Sequence, residues 1–124
     1  MYKGRAFFDT GRADITEVDS FGVGTASGAA EYTMQLLEEN IKKLSYTENR
    51  IFCVELGYTD DDTNSFYDAE VVVELISRSR MNRFKCQFWE GRGSMEEKIV
   101  DDIPDCGDFL SFLIKRWTVT VKNK

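Results

Sequence analysis

The sequence predicts an α+β domain, a mainly antiparallel β-sheet packed with two helices in the order β-β-α-β-β-β-α-β. Three observations predict it. Ala30, Met34, Leu37, Ile41 and Leu44 recur at helical spacings, a single apolar stripe. Short runs elsewhere alternate apolar and polar residues, the period of a half-buried strand. A second apolar run, Phe109 to Ile114, follows Asp102-Ile103-Pro104, a helix-start signature with proline in the first turn.

The elements follow in order. Residues 3–9 and Ile15 to Phe21 read as strands joined by a turn around Thr10-Gly11-Arg12. Gly22-Val23-Gly24-Thr25-Ala26-Ser27-Gly28 leads into the first helix. There Glu38 and Glu39 precede Lys42 and Lys43 by four residues, which supports an exposed outer face. Arg50 to Tyr58 turns Phe52, Val54, Leu56 and Tyr58 to one side. The polar loop 59–65 separates it from Tyr67 to Ser77, a strand rich in β-branched residues. Residues 82–90 form the next strand. After the second helix, Trp117, Val119 and Val121 alternate as a final strand.

The whole chain, 1–124, reads as one domain, long enough to bury about two thirds of its surface. Hydrophobic content of 42% with 13% aromatics predicts an ordered core. The first residues carry charges on both sides of a very short apolar run, so neither a signal peptide nor a membrane partner is expected. Cys53, Cys86 and Cys106 are odd in number and far apart. They are expected as buried thiols in a reducing cytosol. With no Cys-x-x-Cys pair and no histidine, neither a metal nor a cofactor is expected. The missing histidine also removes the commonest general acid–base residue, so the chain is expected not to be an enzyme.

Charge is unevenly placed. The chain is −6 overall. Between Ser77 and Arg92 it holds Arg78, Arg80, Arg83, Lys85 and Arg92 against Glu90 alone, a +4 segment in a −10 remainder. Such a remainder repels a long nucleic acid. Guanidinium groups beside aromatic rings suit a small nucleotide that carries phosphates and a flat base. Within 82–90, Arg83, Lys85, Gln87 and Trp89 share one face, and Phe84, Cys86 and Phe88 share the other, the expected core side. The expected ligand set is therefore Arg78, Arg80, Arg83, Lys85 and Arg92 for phosphates. Trp89 would stack on the base, with Phe84 or Phe88 where these are not core. The bland alternative is a solvated strand face.

Gly24 and Thr25 lie between a strand and a helix, where backbone amides cradle phosphates. Their spacing matches neither the P-loop nor the dinucleotide fingerprint, and Thr25 or Ser27 serves equally as a helix cap. Asp60, Asp61 and Asp62 are expected as a solvated acidic loop. A cation site with Glu31 or Asp9 is the other reading. Phe7-Phe8-Asp9, Ala30-Glu31-Tyr32 and Asp60 are similar in pattern to ribonuclease-H-like enzymes, with too few residues between the first two for that fold's intervening strands. Asp101, Asp102, Asp105 and Asp108 suit a helix N-terminus or mimic phosphates toward a basic partner.

In size and general character, across the whole chain and without one alignable motif, the sequence resembles the phage Thoeris anti-defence proteins. Those are small α+β oligomers that sequester cyclic ADP-ribose-type signals, some also holding cyclic oligonucleotides. The resemblance implies an anti-defence sponge, a homo-oligomer in the host bacterial cell that binds a cyclic nucleotide signal without degrading it. It carries over no site residue. The alternative reading is an acidic inhibitor, an immunity protein or anti-CRISPR that covers a basic surface of its target.

Overall fold

A computed structural model of the chain describes residues 1–10, 14–45, 47–59, 68–77, 83–91 and 93–121. The elements are β1 (Tyr2–Asp9), β2 (Ile15–Val23), α1 (Ala26–Ile41), β3 (Ile51–Tyr58), β4 (Ala69–Ser77), β5 (Arg83–Glu90), β6 (Ser94–Val100) and α2 (Ile103–Thr120). All strands join one sheet in the order β2-β1-β3-β4-β5-β6, every neighbouring pair antiparallel. The fold class is α+β, with six strands and two helices among the described residues.

The C-terminal third departs from the expected order. Residues 94–100 form a strand that precedes α2, and Trp117 to Thr120 continue that helix rather than forming a last strand. Packing decides it. Leu110, Leu113, Ile114, Trp117 and Val121 are buried while Val119 is 63% exposed, a helical stripe that an alternating strand could not produce.

The even-numbered residues of the inner strands point beneath the helices: Ala6 and Phe8, Phe52, Val54 and Leu56, Phe84, Cys86 and Phe88. On β4 the odd positions Val71, Val73 and Leu75 do so, because Val71 pairs directly with Val54 and Phe88. Burying each such side chain contributes about 1.5–3 kcal/mol. Trp117 seals the layer, its ring 6.2 Å from that of Tyr2. The Tyr2 hydroxyl donates to the Thr118 carbonyl.

Edge strand β2 is held by a contact that needs glycine. A Cβ on Gly4 would lie 2.1 Å from the Phe21 ring. The bare backbone lets Phe21 cross β1 and stack 4.6 Å from Tyr32 of α1. Tyr32 also donates to Asp19 at 2.7 Å, a bond that raises its phenol pKa, with burial adding to the rise. A bulge between Ala6 and Phe7 leaves Val18 without a cross-strand partner in β2.

Cys86 of β5 and Cys106 in the first turn of α2 form a disulfide, their Cα atoms 6.4 Å apart. Two of the three cysteines are therefore not thiols, and the compartment inferred from reduced cysteines loses that support. The reason is positional: Cys86 faces the helices, and the start of α2 lies over it. Cys53 is free and buried. No helix among the described residues is long and apolar enough to cross a membrane.

Candidate functional site: the helix-free face of the sheet

Both helices pack on one side of the sheet, and the cross-strand register fixes what stands on the other. Directly paired residues share a face, so three rows run across the strands. One row is Ile15, Asp9, Ile51, Glu74, Lys85, Ile99. The next is Glu17, Phe7, Cys53, Val72, Gln87, Glu97. The third is Ser20, Arg5, Glu55, Glu70, Trp89, Met95. With Lys3, these positions hold three cations against six carboxylates, a net −3.

The middle of the face is tightly built. Phe7 is 5% exposed and Cys53 4%, although no described helix covers them. The Arg5 guanidinium lies 5.2 Å over the Phe7 ring and pairs with Glu55 at 3.0 Å. Glu70 stands directly opposite Glu55. Burial raises its carboxyl pKa, the charges of Glu55 and Asp9 add to the rise, and a hydrogen bond with the Cys53 thiol opposes it. Burial, then the charge of Glu70, pushes that thiol far up, so Cys53 stays protonated and is a poor nucleophile.

Toward β5 and β6 the face opens. Trp89 is 41% exposed, Met95 39% and Ile99 45%. The Trp89 indole N–H donates to Gln87 Oε1 at 3.2 Å, and Gln87 Nε2 donates to Glu97 at 2.7 Å. This chain of bonds orients the indole. Its ring meets solvent beside Glu70, the residue paired with Trp89 across β4 and β5.

The expected ligand residues are only partly assembled. Lys85 and Trp89 share the open face, about 13 Å apart along the strand. Lys85 is paired with Glu74 at 3.4 Å, and Arg83 with Asp101 at 3.0 Å. Each therefore already holds a carboxylate. Phe84 and Phe88, 5% and 1% exposed, lie in the core and leave the stacking set, because strand alternation turns them beneath the helices. Arg78, Arg80 and Arg92 lie outside the described residues.

Gly24 and Thr25 precede α1 at the far edge of the sheet, four strand spacings or roughly 19 Å from β5. The Thr25 hydroxyl accepts the Gly28 N–H at 3.1 Å, so it caps the helix. Asp9 stands on the helix-free face, whereas Glu31 lines the groove between the helices. The sheet separates that acidic pair, and Asp60 to Asp62 lie outside the described residues.

Comparison of the chain with family models, curated proteins and solved structures returns no match. Sequence reasoning missed Glu55, Glu70, Met95 and Ile99. The first two were legible as the polar positions of alternating strands, but their juxtaposition depends on register. The last two needed β6 to be recognised as a strand.

Proposed function

We propose that this chain is a non-catalytic binding protein that presents the helix-free face of its sheet to a basic surface of another protein and blocks it. One observation carries the reading: an exposed, hydrogen-bond-oriented Trp89 stands among carboxylates, while Lys85 and Arg83 nearby are already neutralised. An indole face beside carboxylates suits a lysine or arginine side chain, held by cation–π attraction and charge together. Met95 and Ile99 extend the apolar contact at the rim, and aromatic anchors of this kind dominate interface energetics. Glu70 and Glu55 repel one another across the strands in the free protein. Glu55 already holds Arg5, so Glu70, paired across the strands with Trp89, is the carboxylate that a partner cation would meet beside the indole.

The test begins with affinity capture from native host cells and identification of the partner, followed by binding kinetics. Association slowed by about tenfold or more between low and high salt is expected for a steered acidic face. Trp89→Ala should raise the dissociation constant by about 30-fold, near 2 kcal/mol. Salt-indifferent association, or unchanged binding by Trp89→Ala, overturns the reading.

The exposed indole ring also supports a second reading, the nucleotide sponge, since base stacking on such a ring contributes about 1–3 kcal/mol. Heat release of an intact nucleotide from the native protein, with thermal stabilisation by cyclic ADP-ribose isomers or cyclic di- and trinucleotides, would favour the sponge over the inhibitor.

A further inference from the structure

On the opposite side of the molecule, α1 and α2 leave a groove of about 1120 Å³. Ala26 and Ala30 of α1 and Gly107 and Ser111 of α2 keep it open because their side chains are small. Val119 lines it and Phe112 stands beside it on α2, 63% and 67% exposed, the most exposed large apolar side chains among the described residues. Seven residues apart, they project to one side of the helix, roughly 10 Å from each other along its axis. Nothing in core packing requires an exposed phenylalanine there.

Charge is laid out across the same surface. Glu31 and Glu38 form the α1 wall of the groove, and Lys115 stands on the α2 wall, with Asp108 two turns before it near the start of that helix. Arg116 holds its guanidinium 5.8 Å over the Phe112 ring and pairs with Glu96.

We propose that a second copy of this chain covers this surface, in a two-fold pairing of helix layers. Phe112 of each copy enters the groove of the other, and Lys115 of each meets the other's Glu31 and Glu38. The occupant follows from self-complementarity. A two-fold contact requires one patch to carry both a feature and its counterpart. Here the apolar knob lies beside the open groove, and the cation faces the carboxylates, all on the same two helices. A foreign helix would need the groove alone and would leave Phe112 unexplained. The pairing uses none of the helix-free face, so it stands or falls separately from the binding role proposed for that face.

Sedimentation equilibrium of the full chain tests it. The expected mass is twice 14.3 kDa. Phe112→Glu should weaken pairing by about tenfold or more, and its Tm should lose the rise with protein concentration that pairing confers on the wild type, the side chain itself being outside the core. Lys115→Glu should weaken it as well, and adding Glu31→Lys and Glu38→Lys to the same chain should restore it. A wild-type mass of one chain, undiminished pairing in Phe112→Glu, or no rescue by the charge reversal overturns the proposal.

Discussion

Phe88 and Trp89 are neighbours in the chain and face opposite sides of one sheet. Phe88, 1% exposed, packs in an apolar core under the helices. Trp89 stands in a row that also holds Arg5, Glu55, Glu70 and Met95, with 41% of its surface in solvent. The covered face is explained by burial alone. The helix-free face is not: it opposes two carboxylates across paired strands and leaves a tryptophan exposed, choices that folding does not reward. Where stability fails to account for the residues, the binding role proposed for that face would do so.

The sharpest way to break this comparison is to truncate both neighbours. Phe88→Ala should lose about 3–5 kcal/mol of unfolding free energy, read from urea denaturation. Trp89→Ala should lose about 0.5 kcal/mol or less, as surface positions do. Equal losses would mean that the helix-free face is packed in the folded protein.

Reduction of the Cys86–Cys106 bond comes next, at about 3 kcal/mol for a loop of this size. Denatured protein should titrate one thiol without reductant and three with it, Cys53 being the free one. Removing the cap of α2 with Asp102→Ala is smaller, about 1 kcal/mol, because its carboxylate accepts the Asp105 N–H at 2.8 Å.

The smallest effect separates the faces by pH. Glu70 has its folded pKa raised above the ordinary 4.5. The folded state thus binds more protons in the window from that value up to the raised one, and stability falls as pH rises through it. Glu70→Gln should therefore raise the Tm at pH 8, and its advantage should shrink as pH falls through that window and be gone below the ordinary value. A Tm difference that ignores pH would mean that Glu70 is not under this strain.

Most of the sheet was legible because alternation is a local signal. Residues 82–90 show both of their faces directly, and the Asp102-Ile103-Pro104 start of α2 is a local cap. β6 was not legible. Its run Ser94-Met95-Glu96-Glu97-Lys98-Ile99-Val100 lies at the edge, exposed up to Val100, and puts charges on both faces. The last turns of α2 misread as a strand because three apolar residues at alternate positions fit either period when the window is so short. The candidate site was half legible. Trp89 and its face follow from parity, but the neutralised state of Lys85 and Arg83 depends on Glu74 and Asp101, partners that only the tertiary fold supplies.

The two ends of the sheet carry a consequence of their own. An open antiparallel sheet has two free edges, each a template on which another chain can add a strand. Here one edge is broken by the bulge opposite Ala6 and Phe7, and the other carries Glu96, Glu97 and Lys98 in succession. A bulge spoils the register that an incoming strand needs, and adjacent charges on both faces make its stacking unfavourable. Both edges of the described sheet are therefore expected to resist strand addition at high concentration.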